Sequence, residues 1–458
     1  MSTLIPPRPL APVSIFKMGA VGVLVLLLLI PLRMVRSVLS ERLYRRDAAV
    51  AEIASIWGET QVVAGPIWVI PYRYTYKTWK EQMVAGRAER VEVAETAVGR
   101  AHFLPEAFQA EVQLDPEIRY RGIYRAVVYR GRVTLSGTFQ PPSFHEWKIA
   151  PEDILWDDAH VWLHVADLRG TQGRLTLQWG SLDIPLRPSP RADAPGLEGR
   201  LALDSPPSAP MPFRLELTIN GSGGLRIAPI GESSNVRMAS TWPDPSFQGA
   251  FLPTEREVGP NGFRAAWSVS YYGRGYPQQW LEEPSGGNVR PLPPLRSGLL
   301  GVNLISLLDI YRLVERSLKY GVLVVALVFA TFFLFERLAR VRVHPLQYTL
   351  VGGALCLFYL GLLSMSELMP FGLAYLVSAT AATALIGWYA TAMLRSGRRS
   401  ALLTAGLGVT YAFLYILLRQ QDYSLLLGTV GLFIVLALIM AATRRVDWYA
   451  PPAPPHLP

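Results

Sequence analysis

Residues 346–394 read LQYTLVGGALCLFYLGLLSMSELMPFGLAYLVSATAATALIGWYATAML, and Glu367 is the only charged side chain among them. Two helix-length apolar runs stand either side of one short turn. The same composition continues outward in both directions, so that 320–335, 346–366, 368–394, 400–418 and 423–443 contain no Asp, Glu, Lys or Arg. At ~1.5 Å per residue each is about long enough to cross roughly 30 Å of hydrocarbon, the third with residues to spare for tilt. Backbone groups in lipid must be bonded within their own segment, so runs of this kind are helices. The reading is five consecutive membrane spans.

The connections orient them. Arg337, Arg340 and Arg342 follow the first span, Arg395, Arg398 and Arg399 the third, and Arg444 and Arg445 the fifth. The intervening two hold Glu367 alone and the Arg419/Asp422 pair. Positive charge in short loops marks the cytoplasmic side. The expected C-terminus is therefore cytoplasmic, and whatever precedes Tyr320 lies across the membrane.

A sixth apolar run, 18–32 (MGAVGVLVLLLLIPL), follows Arg8 and Lys17 and has no small-x-small cleavage site after it, which favours an anchor over a removed signal. Five arginines just beyond it, Arg33, Arg36, Arg42, Arg45 and Arg46, oppose the orientation that an anchor needs. The charge rule weakens beside long translocated segments, and the alternation of the five-span loops takes precedence. The expected layout has four parts. Residues 1–32 are a cytoplasmic N-terminus and first anchor, and 33–319 are an extracytoplasmic β-rich domain with flanking juxtamembrane helices. Residues 320–443 are a five-helix bundle, and 444–458 a cytoplasmic Pro-rich tail. Both termini are then cytoplasmic.

The net charge of +9 divides into +2 for 1–32, +2 for 33–319 and +5 for 320–458, where nine arginines meet four acidic residues. This is a topology signal spread along the chain rather than a concentrated phosphate-binding face, so no nucleic-acid partner is expected. The single cysteine, Cys356, lies in a span and reads as a small apolar packing residue. The 33–319 region is cysteine-free and large enough to bury a core without disulfides.

That region reads as all-β. Residues 37–56 lack Gly and Pro and extend the anchor as a helix. From Ile67 the chain turns aromatic and β-branched. Strict alternation puts Phe213, Leu215, Leu217 and Ile219 on one strand face, and likewise Phe263, Ala265, Trp267, Val269 and Tyr271. Val133, Leu135, Gly137 and Phe139 repeat it, as do Val161, Leu163 and Val165. Asn220-Gly-Ser-Gly-Gly224 reads as a hairpin turn returning through 225–230. Frequent Gly and Pro turns between such runs predict a sandwich-like sheet pair. Pro-rich breaks at 187–196 and 205–212 imply surface loops or a subdomain boundary near 200. The triplet Phe-Leu-Pro recurs at 103–105 and 251–253, too short a repeat to assert duplication. Residues 284–298 form a Pro/Gly hinge, and 304–319 an amphipathic segment entering the interface.

Several segments, in order along the chain, resemble the CreD family of bacterial inner-membrane proteins. They are 65–72 (GPIWVIPY), 240–253 (STWPDPSFQGAFLP), 344–348 (HPLQY) and 446–449 (VDWY), with the pairs Glu41-Arg42 and Tyr44-Arg45 after the first span. The resemblance implies a multi-pass protein of the Gram-negative inner membrane with a large periplasmic domain. It also implies a role in cell-envelope integrity and a stress response run by a two-component system. The family brings no established catalytic residues.

The residues themselves offer little chemistry. His160 and His164 share a strand face with Trp162, but two histidines four apart in a strand stand roughly 13 Å apart, too far for one ion. Glu152/Asp153 and Asp157/Asp158 are carboxylate pairs of the kind common in polar loops. HExxH, G-x-S-x-G and phosphate-binding glycine motifs are missing from the sequence. The spans lack the mid-membrane ionisable residues that mark transport or intramembrane catalysis. Glu367 reads as interfacial. Ser364, Ser366, Thr380 and Thr383 read as helix-bridging polar residues, and Gly352, Gly353 and Gly361 as close-packing points. No catalytic, cofactor-binding or metal residue is assigned, and no cofactor. The expectation is a non-enzymatic envelope protein whose partners are membrane lipids and a periplasmic component or protein. A transporter or lipid-handling protein using the five-helix bundle is the alternative.

Overall fold

The computed structural model describes residues 12–84, 87–190, 196–282, 295–304, 310–339, 343–394, 396–420 and 423–444. The chain divides into two compact units, Met1–Arg45 with Leu308–Pro458, and Arg46–Leu307.

The first unit is helical: α1 (Pro12–Trp57, its last turns in the second unit), α2 (Ile310–Lys319), α3 (Gly321–Ala339), α4 (Pro345–Ser366), α5 (Phe371–Leu394), α6 (Gly397–Arg419) and α7 (Ser424–Thr443). Five helices are long and apolar enough to cross a membrane, or six if α2 and α3, bent by 43° to one another, make one span. The bend falls at Tyr320, just before Gly321, whose bare Cα lies against Leu32 and Tyr359. Pro370 stands just before the first turn, its carbonyl accepting from the Leu373 and Ala374 N–H groups, so α5 begins at Phe371 rather than at Leu368. The sequence expectation that residues 37–56 continue the first helix holds: α1 runs unbroken for 46 residues.

Hydrogen bonds between helices come from residues that sequence reading passed over. Tyr375 donates to the carbonyl of Tyr411 at 2.7 Å and Ser400 to that of Gly387 at 3.0 Å, joining α5 to α6. Ser366, expected to bridge, instead donates to Leu363 in its own helix, while Ser364 and Thr380 face outward. Of the expected close-packing glycines, Gly352 and Gly361 receive Leu28 and Ser378, but Gly353 has nothing within 4 Å. Cys356 is buried in α4.

The second unit is two facing sheets. The first runs, in spatial order, Pro245–Gly249, Leu300–Leu304, Gly224–Ile227, Gln61–Val84, His160–Val165, Leu197–Arg200 and Arg187–Pro188. Arg87–Phe103 also joins Gln61–Val84, and Gln279–Leu281 joins Arg87–Phe103. The second runs Glu255–Gly259, Gly262–Ser270, Ser233–Ser240, Ala107–Arg121, Tyr124–Phe139, Met211–Ser222, Thr176–Trp179 and Leu182–Pro185. The expected alternation is realised for Phe213, Leu215, Leu217 and Ile219 and for Phe263, Ala265, Trp267 and Val269, all buried, but Tyr271 falls in a 3-10 turn past the strand end and Trp162 is buried along with Val161, Leu163 and Val165. Where the sheets meet, Trp68 of the first stands edge-on to Phe139 and Trp179 of the second, centroids 5.9 and 5.1 Å apart.

Two expectations are overturned. Residues 220–224 do not form a hairpin. Met211–Ser222 continues straight through Asn220 and Gly221, paired with Arg130 and Tyr129, and the chain crosses to the other sheet at Gly223 (φ +72). There Leu225–Ile227 pairs parallel with Gln61–Val63. A Cβ on Gly221 would lie 2.3 Å from the Tyr129 hydroxyl, so the glycine serves close approach rather than a turn. Nor does a subdomain boundary fall near 200. Leu197–Arg200 pairs with His160–Val165, and Met211–Ser222 with Tyr124–Phe139, which knits both flanks of the Pro-rich break into the same two sheets. The two Phe-Leu-Pro triplets share a topological place: each carries the chain out of a strand of the first sheet into a hairpin of the second. Residues 284–294 of the 284–298 hinge, residues 305–309 and the Pro-rich tail lie outside the described residues.

Candidate functional site

The outer face of the second sheet is concave, enclosing about 1320 Å³. Alternation decides its lining. Odd–even phase sends Val112, Val133, Leu217, Met238 and Ala265 inward to the core, and their neighbours outward. Register then aligns those neighbours into two rows crossing the strands. One row runs Glu255, Ala266, Arg237, Glu111, Thr134, Glu216. The other runs Glu257, Arg264, Ala239, Gln113, Arg132, Thr218, Gln172. Two alanines leave the floor low among arginines.

Glu216 is held by Arg214 at 2.6 Å, but three other ion pairs on this face are long and open to solvent. Arg237–Glu111 and Arg264–Glu257 are both 3.9 Å, and Arg132–Asp115 is 3.6 Å. Exposed pairs of this kind contribute about 0–1 kcal/mol, so the guanidinium groups can exchange partners at little cost. Arg174 and Arg256, also on the lining, have no ion-pair partner among the described residues. Sequence reading missed the face because its members come from seven strands. Only pairing brings them together.

The residues singled out from sequence lie on other elements. His160 and His164 lie on His160–Val165 of the first sheet, where the His160 ring Nδ1 is 3.0 Å from the Asp158 carbonyl and Nε2 3.9 Å from Glu198. Glu152/Asp153 and Asp157/Asp158 sit in two short 3-10 turns, with Arg200 bonded to Asp158 at 3.2 Å. No group of three or more metal-ligating side chains occurs among the described residues. Glu367 is less open than its interfacial reading implies: its side chain is 14% exposed, 3.6 Å from Arg42 and bonded by Tyr311 at 3.3 Å.

A buried polar knot joins the two sheets where α1 ends. Gln61, fully buried, donates to the carbonyls of Asp167 and Asn220 at 3.1 and 2.9 Å and accepts from the Asp167 N–H at 3.2 Å. The Asp167 carboxylate accepts from the Glu59 N–H at 3.1 Å and from Arg169 Nε at 2.9 Å. Desolvation pushes the Asp167 carboxyl upward, but the Arg169 side chain and the two backbone N–H groups outweigh it and hold it below the usual carboxylate range. A depressed folded-state value means that stability is present above the unfolded pKa of about 3.9 and is lost as pH falls through the folded value. Asp167→Asn is therefore expected to cost about 1–3 kcal/mol at pH 7. The difference from wild type should vanish toward pH 2–3 in unfolding monitored by tryptophan fluorescence.

Comparison with known proteins decides the family. The family model described as "Inner membrane protein CreD" matches residues 13–449. The chain belongs to the CreD family. It is 32% identical over 440 residues to the inner membrane protein CreD of Escherichia coli (strain K12), covering 95% of this chain and 94% of that one. Among solved structures, M1 zinc metallopeptidases match this CreD-family chain at 9–11% identity. One covers 36% of this chain and 39% of its own at a TM-score of 0.19, and one from Deinococcus radiodurans covers 77% and 95% at 0.23. At those scores they carry no argument. As a CreD-family member with several helices long and apolar enough to span, this is a multi-pass protein of the bacterial inner membrane.

Proposed function

We propose that this CreD-family protein supports envelope integrity without catalysing a reaction, its β unit binding an envelope component or protein partner outside the cytoplasm. The carrying observation is the concave face: a cleft of about 1320 Å³ lined by weak ion pairs and by two arginines with no ion-pair partner among the described residues. Such a surface offers exchangeable charge and hydrogen-bonding groups, and none of the activated nucleophiles or poised acids that chemistry needs. The periplasmic placement rests on the arginine-rich loops of the bundle.

The test is in-cell photo-crosslinking from a reactive residue at Gln113, on the concave floor, with a control at Tyr272, which is 85% exposed and outside the lining. A discrete adduct from Gln113 and none from Tyr272 is expected. Equal labelling from both positions, or none, would remove the face from the reading. A second reading, lipid handling by the bundle, draws on Arg33 and Arg36 of α1.

A further inference from the structure

Contacts along α1 set its depth beside α4. Leu28 fills the space that a Cβ on Gly352 would need, lying 2.1 Å from it, and fourteen residues later Arg42 reaches Glu367 at 3.6 Å. Leu28 to Arg42 and Gly352 to Glu367 rise about 21 and 22 Å, so the two helices run side by side in the same direction. Arg33 and Arg36 thus stand level with Leu357 and Leu360, which face out of the bundle at 60% and 41% exposure. They lie about 14 and 9 Å short of the Arg42–Glu367 pair.

The buried stripe of α1 is Leu28, Leu32, Val35 and Leu39. Arg33, Arg36, Ser37 and Ser40, spaced i, i+3, i+4 and i+7, share one exposed flank beside it. Ser40 donates to the Arg36 carbonyl at 3.0 Å. Arg42, Arg45 and Arg46 each meet a carboxylate, Glu367, Glu41 and Asp47. The guanidinium groups of Arg33 and Arg36 have no hydrogen bond or ion pair among the described residues. A guanidinium at the depth of lipid-facing leucines is costly unless an anion meets it there.

We propose that Arg33, Arg36 and the Ser37 hydroxyl hold the phosphate of an anionic glycerophospholipid, drawn below the level of the Arg42–Glu367 pair, with its acyl chains along Leu26 and Ile30, exposed on the same side of α1. Two guanidinium forks on one helix flank suit a phosphodiester. The site also accounts for the five arginines that follow the first apolar run: three answer carboxylates, and two answer lipid.

The full chain in neutral detergent is titrated with phosphatidylglycerol, phosphatidylcholine or inorganic phosphate, reading lipid adducts by native mass spectrometry and the unfolding temperature in parallel. Wild type is expected to bind phosphatidylglycerol at least about tenfold more tightly than the other two. Arg33→Gln/Arg36→Gln should lose about ten- to thirtyfold of that affinity, and Arg33→Lys/Arg36→Lys should keep most of it. If the double glutamine variant does not fold, Arg33→Gln alone, with a loss of about three- to tenfold, decides the matter. Unchanged phosphatidylglycerol affinity in the glutamine variants would overturn the proposal. So would inorganic phosphate binding as tightly as the lipid, which would make the ligand a free anion.

Discussion

Trp68→Ala is expected to destabilise the β unit by about 3–5 kcal/mol, the range for emptying a large aromatic site in a packed core. At roughly 2–4 °C per kcal/mol for a unit of this size, its unfolding temperature should fall by about 10 °C. Trp68 is fully buried and is the first sheet's contribution to an aromatic cluster whose other members, Phe139, Trp179 and Phe213, belong to the second. Removing it leaves a void between layers that the hydrogen-bonded sheets cannot close. Trp68→Phe should cost far less. It keeps most of the volume, and it deletes an indole N–H that is buried with no acceptor among the described residues. Near-ultraviolet circular dichroism of the full chain during heating reads both variants. Equal losses for Ala and Phe would mean that the indole edge, not the volume, carries the stability.

The second large effect is expected at Arg274, which is 2% exposed. Its guanidinium donates to the carbonyls of Ile230 and Gly231 and to the Gln278 side chain, and it lies 4.8 Å over the Tyr276 ring. Gln278 in turn donates to the carbonyls of Leu104 and Pro105 at 2.9 and 2.6 Å, so one side chain organises three loops. Burial pushes the Arg274 guanidinium below its ordinary value, opposed by Tyr276, Glu232 and Tyr271. Arg274→Ala strands several buried acceptors and opens a cavity, a loss of about 3–5 kcal/mol. Arg274→Met refills the space but not the donors, and should recover only part. Limited proteolysis between 228 and 232 provides the local readout, with Arg274→Ala cut faster than wild type at a temperature where both remain folded. Cleavage at an unchanged rate would show that the loops hold without the guanidinium.

The spans, the long first helix and the strand phases were legible because each depends on periodicity or composition within a single segment. Leu215 and Leu217 point inward for the same reason that their neighbours point outward. Asn220-Gly-Ser-Gly-Gly224 misled because glycine has two uses. Local sequence cannot separate a turn from a strand pressed against a tyrosine ring, and at Gly221 the Tyr129 hydroxyl makes the choice. The concave face was invisible for a related reason. Arg237 and Glu111 are far apart in the chain and become neighbours only through a parallel pairing.

By itself, then, the sequence determined that this chain is a membrane protein carrying a sheet-built unit, and which residue of each strand is apolar-inward. Hydrophobic periodicity and the cost of unbonded backbone in lipid act within one segment and need no partner. Tertiary structure alone decided which strands share a sheet, where the polar rows align, and that Arg33 and Arg36 stand at the depth of outward-facing leucines. Those are facts of register between segments, set by packing such as Leu28 on Gly352, and no single stretch of chain encodes them.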